Sequence, residues 1–89
     1  MGGEEFVLVL TDAPGDLAVE RAEDIREAAS ILSIKHGGRT IGVTVSIGVC
    51  VFPMHGQSPE ELINNADKAL YQAKNGGRNR VVVFDGSKS

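Results

Sequence analysis

The sequence has no tryptophan, one tyrosine and three phenylalanines among 89 residues, so its core must be aliphatic. It has a single cysteine, Cys50, which excludes an internal disulfide. His36 has no His or Cys partner at the spacing of a zinc-type site and reads as a surface residue at a helix end. No apolar run approaches the roughly 18–20 residues of a membrane span, and no signal-peptide pattern opens the chain. Direct membrane insertion is therefore not expected, and a cytoplasmic setting is the default for a lone thiol. There is no basic block and the formal net charge is −3, which argues against a nucleic-acid-binding surface. The length allows one small domain at most, and such a chain buries only about 60–65% of its unfolded surface.

What is present begins at the first residues, Met1-Gly2-Gly3-Glu4-Glu5-Phe6, followed by the apolar run Val7-Leu8-Val9-Leu10. Gly-Gly supplies the positive φ angles of a tight hairpin turn, so Gly2-Gly3 reads as a hairpin tip and residues 4–10 as a strand leaving it. Paired carboxylates stabilise a strand poorly but suit a hard divalent cation such as Mg²⁺, which takes oxygen ligands. A solvated hairpin end is the alternative. In a regular strand Glu4 and Glu5 point to opposite faces, so one is the ligand and the other a neighbour with a different role.

A loop over residues 11–16 leads to a helix expected from about residue 17 to 35. Its apolar stripe is Leu17, Ala22, Ile25, Ala29 and Leu32, with Lys35 and His36 at its C-terminal end and Gly37-Gly38 stopping it. Thr40 to Phe52 reads as a long strand. Val43, Val45, Ile47, Val49 and Val51 share one face; Thr44, Ser46, Gly48, Cys50 and Phe52 share the other. Both faces lean apolar, so the strand is buried on one side and largely covered on the second. Gly48 marks a bulge or a close backbone approach, and Cys50 reads as a small buried hydrophobe. His55 falls in the following loop. A second helix starts at the capping box Ser58-Pro59-Glu60-Glu61. It buries Leu62, Ile63, Ala66, Ala69, Leu70 and Ala73, and ends near Asn75 before Gly76-Gly77. Arg80 to Phe84 forms a last strand, and residues 85–89 a loose tail. Lys74 and Arg78 flank the Gly-Gly turn. They either complement the helix dipole or grip phosphate oxygens, Lys as a mobile charge and Arg as a planar fork.

Gly2-Gly3-Glu4-Glu5-Phe6, Val45-Ser46-Ile47-Gly48-Val49, Ala66-Asp67-Lys68-Ala69-Leu70-Tyr71-Gln72-Ala73-Lys74 and Gly77-Arg78-Asn79, in this order, resemble the C-terminal part of a GGDEF domain, the diguanylate cyclase family, in its GGEEF form. The resemblance implies an α+β fold with α/β-like β-α-β-α-β order: a partial ferredoxin-like, nucleotidyl-cyclase palm with two helices on an incomplete, mainly antiparallel sheet. Residues 1–84 would be the C-terminal portion of the domain. It implies condensation of two GTP into cyclic di-GMP, a bacterial second messenger, with release of pyrophosphate. The intact domain would act as a head-to-head homodimer, with Mg²⁺ or Mn²⁺ as cofactor. By matched position, Glu4 is the metal-binding and catalytic acid and Glu5 its supporting catalytic partner. Gly2 and Gly3 lie close to the nucleotide, and Lys74 and Arg78 hold its terminal phosphates. Asp67 and Tyr71 match structural positions.

The same resemblance implies that half of the domain is not in this sequence. Missing are the first strand with the other metal-binding Asp, the guanine-recognising residues, the Arg-x-x-Asp product-inhibition motif and any upstream regulatory domain. In the family that first strand lies between the segments matching 4–10 and 40–52. Without it those segments are expected to rearrange into one sheet or to be completed by another copy, as a homodimer or higher oligomer. Two functional expectations follow: a diguanylate cyclase domain fragment, and a catalytically inactive truncated module that oligomerises or swaps strands.

Overall fold

The computed structural model describes residues 2–12, 14–31, 33–36 and 39–85. Strand β1 spans Gly2–Thr11, helix α1 Gly15–Ile31, β2 Ser33–His36, β3 Arg39–Phe52, α2 Pro59–Asn75 and β4 Val81–Val83. β3 is the axis of the sheet. β1 lies parallel to it from Gly2 opposite Val43 to Thr11 opposite Phe52, and β4 lies parallel along Ile47–Val49. Since β1 and β4 both pair with residues 47–49, they occupy opposite edges of β3. β2 folds back antiparallel on Arg39–Gly42.

The α+β class and the β-α-β-α-β order hold, with β2 added. The expectation of a mainly antiparallel sheet does not: antiparallel pairing is confined to the β2–β3 hairpin, and the longer contacts are parallel. Each parallel pair is joined by a helix, the long crossover that parallel neighbours require. Segments 4–10 and 40–52, expected to flank a strand outside this sequence, pair directly with one another. This pairing gives the facing backbone groups of the two segments partners and leaves the outer side of β1 as an edge. Gly2 and Gly3 also depart from expectation. They are strand residues opposite Val43 and Thr44, not a hairpin tip, because parallel pairing along β3 extends β1 through them.

Helix α1 starts two residues earlier and stops four residues sooner than expected. Lys35 and His36 are strand residues opposite Thr40 and Arg39; pairing with the start of β3 overrides a continued helix. Leu32, the Gly37-Gly38 stop and residues 86–89 of the expected tail lie outside the described residues. In α1 the buried positions are Ala18 and Ala22, with Ala29 packed beside them, whereas Ile25 is exposed. The stripe is shifted because the three alanines let the helix sit close to the sheet.

Alternating residues of β3 point to opposite layers. Val45, Ile47, Val49 and Val51 pack with Ala18 and Ala22 of α1 and with Leu8, Leu10, Val81 and Val83. Cys50 packs with Leu62 and Ala66 of α2 and with Phe52 and Phe84. β3 is thus covered on both faces, as its doubly apolar pattern predicts. Burial raises the Cys50 thiol pKa to about 11, which keeps it protonated and unreactive. Gly48 is a close approach: a Cβ there would overlap the Ala66 carbonyl oxygen and the Leu70 amide nitrogen and lie 2.8 Å from Leu70 Cα.

The capping box forms at Ser58, whose Oγ accepts the Glu61 N–H at 3.1 Å. Glu61 Oε1 accepts the Gln57 N–H at 2.7 Å, one residue ahead of the cap. Four buried residues of α2, Leu62, Ala66, Ala69 and Ala73, come from the expected stripe, while Ile63 is exposed. Ser58→Ala is expected to cost about 1 kcal/mol, a fall in Tm of about 4–8 °C for a domain of this size, measured by circular dichroism. An unchanged Tm would show that Ser58 does not cap α2.

Candidate functional site

Three of the residues singled out in the sequence converge where the start of β1 meets the end of α2. Glu5 stands beside Ser46 in the β1–β3 register, on the face that carries Gly48 and Cys50 toward α2. Lys74 arrives in the last turn of α2 and Arg78 in the turn that follows. Arg78 Nη1 donates to Glu5 Oε2 at 2.9 Å, and Lys74 Nζ lies 3.4 Å from Glu5 Oε1. The Arg78 hydrogen bond, opposed by partial desolvation and helped by Lys74, holds the Glu5 carboxyl below its ordinary value of 4.5. All three side chains remain in reach of solvent, with exposures between 33% and 53%, so a dissolved anion can approach the cations.

The turn that presents Arg78 is built backbone first. The Gly76 N–H donates to Gln72 O at 2.9 Å, Gly77 N–H to Lys74 O at 3.3 Å and Arg78 N–H to Ala73 O at 2.9 Å. Gly77, Arg78 and Asn79 then carry φ angles of 119°, 65° and 48°. Only glycine adopts such angles without steric cost. For Arg78 and Asn79 the left-handed backbone costs about 1–2 kcal/mol each, which surrounding contacts offset. The Asn79 N–H donates to Ser46 Oγ at 3.1 Å, Asn79 Oδ1 accepts from Arg26 Nη1 of α1 at 3.2 Å, and Ile47 N–H donates to Arg80 O at 2.9 Å. The Arg80 side chain crosses the glycines: its Nη1 lies 2.8 Å from where a Gly76 Cβ would be, and its Nε donates to Arg78 O at 3.1 Å.

Glu4 is not part of this cluster. It follows the alternation of β1 onto the side of Leu8 and Leu10, the α1 layer, and is exposed. The two carboxylates therefore serve opposite faces, as strand geometry requires. Gly2 and Gly3 continue β1 beyond the cluster. Ser46, Asn79, Arg80 and Arg26 were missed as site residues. The signal for Ser46 was a hydroxyl, next to Thr44, on the face of the central strand that Gly48, Cys50 and Phe52 make apolar. Arg26 and Asn79 meet only through the fold.

A divalent ion needs several oxygen ligands. The Glu5 carboxylate is already engaged by two cations. Among the described residues no group of three or more His, Cys, Asp or Glu side chains could hold a metal ion. The donor set of the described residues does not by itself fit the Mg²⁺ or Mn²⁺ that the resemblance implies, although the family is generally metal-dependent. Among the described residues, no helix is long and apolar enough to cross a membrane.

A family model described as "Diguanylate cyclase, GGDEF domain" matches residues 1–80. Diguanylate cyclase A of Treponema denticola is 42% identical over 82 residues, which cover 92% of this chain and 22% of that protein. Response regulator PleD of Caulobacter vibrioides is 43% identical over 83 residues, 91% of this chain and 18% of PleD. Diguanylate cyclase DgcM of Escherichia coli is 48% identical over 82 residues, 92% of this chain and 19% of DgcM. The chain thus spans about a fifth of the length of these relatives. With the family's matched residues running from the signature strand to the Arg78 turn, the chain belongs to the GGDEF family of diguanylate cyclases.

Proposed function

We propose that this chain is the C-terminal part of a cyclase domain whose intact, homodimeric form condenses two GTP into cyclic di-GMP and pyrophosphate. The observation that carries the reading is the meeting of Lys74 and Arg78 over the signature strand at Glu5. Two cations on one side of a strand, tethered to a glycine turn and open to solvent, suit an oligophosphate. Arg78 offers two parallel N–H donors to phosphate oxygens and Lys74 a point charge. When the α-phosphate is attacked, these cations carry the charge of the leaving pyrophosphate. Glu5 holds Arg78 in place between turnovers and exchanges it for phosphate on binding. Glu4, on the other side of the strand, is the acidic residue that would contribute to holding a divalent cation in the intact domain, where such an ion would polarise phosphate oxygens.

The test grafts residues 1–84 onto the upstream half of the Treponema denticola relative and follows GTP conversion by chromatography. The chimera is expected to make cyclic di-GMP, and Arg78→Ala to lower turnover by roughly 10- to 150-fold, the equivalent of a charge-assisted hydrogen bond of about 1.5–3 kcal/mol. The 89-residue chain alone is expected to produce none. A folded chimera without turnover, or turnover unaffected by Arg78→Ala, would overturn the reading.

The alternative, a non-catalytic module that pairs with another copy, is favoured by one observation. β1 is an edge strand with Phe6, Val7 and Val9 exposed, and such an edge templates strand addition.

A further inference from the structure

We infer that Ser46 is a positioning residue for Arg78: its buried hydroxyl, by accepting the Asn79 N–H, locks the turn after α2 in the left-handed conformation that delivers the Arg78 guanidinium to Glu5. The inference rests on the proposed phosphate-holding role of Arg78 and adds the residue that sets its geometry.

Ser46 is 2% exposed and is the one polar side chain among the buried residues described. A hydroxyl sequestered in the middle of a sheet must find a partner. Here the partner is the backbone of a turn 33 residues away in sequence, at 3.1 Å. That turn runs through Arg78 and Asn79 at φ 65° and 48°. Non-glycine residues stay in this region only where the surroundings over-determine them. The flanks are tied by Arg78 N–H to Ala73 O and by Ile47 N–H to Arg80 O. Between those ties, among the described residues, the Ser46 bond is the one link from the backbone of the turn to the sheet. The other contact of Asn79, from Arg26, is to its exposed side chain and leaves the peptide free to rotate.

The placement is specific in a second way. Ser46 and Glu5 are direct neighbours across β1 and β3. The hydroxyl that anchors the turn therefore sits beside the carboxylate that receives the guanidinium, and the distance from anchor to target is set by strand spacing alone. Without the hydroxyl, the two residues between the flanking ties can relax toward negative φ. The Arg78 side chain then leaves Glu5 while the helix and sheet stay intact.

The test reads the backbone of Arg78 and Asn79 in the 89-residue chain by NMR, from the three-bond HN–Hα coupling and the strong intraresidue HN–Hα contact that a positive φ produces. In the wild-type chain both residues are expected to give the left-handed pattern. Ser46→Ala is expected to remove it at both, and Ser46→Thr, which keeps the hydroxyl, to restore it. Should the alanine chain not fold, Ser46→Cys, similar in size but a weak acceptor, is read in its place. Leu62→Ala, which loosens the core of α2 away from the turn, leaves the pattern as in the wild type. A left-handed pattern retained in Ser46→Ala, or lost equally in Leu62→Ala, would overturn the inference. Binding of inorganic tripolyphosphate, measured on the same chains, separates the two readings. If Arg78→Ala leaves that affinity unchanged, the phosphate role falls, and the backbone of the turn still decides the tether.

Discussion

Gly48→Val is expected to abolish cooperative unfolding of this chain, and Gly48→Ala to cost at least about 3 kcal/mol. Overpacking a core usually costs about 1–3 kcal/mol, because neighbouring side chains shift to make room. At Gly48 the neighbours are backbone atoms of α2, the Ala66 carbonyl oxygen, the Leu70 nitrogen and the Leu70 Cα, and backbone has no rotamer to change. The helix must move off the sheet as a unit. That exposes Cys50, Leu62 and Ala66 and shifts Lys74 and Arg78 away from Glu5. A domain of this size holds about 5–15 kcal/mol in total, so the alanine variant forfeits a large share and the valine variant most or all of it. Urea unfolding followed by circular dichroism measures the cost. A Gly48→Ala midpoint equal to wild type would mean that α2 is not seated on this strand.

The second large effect is acid lability centred on His55. Its Nδ1 accepts the Val51 N–H at 2.9 Å, so the ring is neutral with its proton on Nε2. Its carbonyl accepts from Asn65 Nδ2 at 2.7 Å, and its ring packs edge-on against Phe84 with centroids 5.6 Å apart. Partial burial, opposed by the negative charge of Asp85, lowers its pKa from 6.5. Glu61 lines the same cleft but is committed to the Gln57 N–H. The unfolded chain therefore binds this proton more readily than the fold does. The contribution of His55 is complete above pH 6.5, and it is lost as the pH falls from there through the lowered folded value. Protonated Nδ1 turns a donor toward the Val51 N–H, and a part-buried N–H without a partner costs about 1–3 kcal/mol. His55→Ala is expected to lose about 2 kcal/mol at neutral pH by the same route and to flatten the pH dependence below 6.5. Parallel stability-against-pH curves for the two chains would refute the role of His55.

Much of this was legible from local pattern. Ser58-Pro59-Glu60-Glu61 marks the start of α2 because capping is a contact among residues three apart. The two apolar faces of residues 43–52 announce a strand covered on both sides because strand periodicity is a local property. Gly48 reads as a bulge or a close approach, and only the seating of α2 on the strand decides for the close approach. Lys35 and His36 were misplaced because their conformation is decided by pairing with Thr40 and Arg39, and pairing is not local. Ile25 was assigned to the core on spacing alone, whereas the small side chains of Ala18 and Ala22 set which face of α1 comes closest to β3.

At the candidate site the residue types were legible but their grouping was not. Strand alternation requires that Glu4 and Glu5 separate, yet it does not say which one meets the cations. That was decided by the register of β1 on β3, which places Glu5 beside Ser46 and under the end of α2. A slip of one residue would have exchanged them. The sequence by itself determined the family, the helices, the central strand and the presence of two acids and two cations. Tertiary structure decided the direction of the sheet, the union of Glu5 with Lys74 and Arg78, and the left-handed turn held by Ser46. The division has one physical cause: capping, periodicity and turn chemistry act between residues a few positions apart, whereas pairing direction, register and burial depend on which distant segments come together.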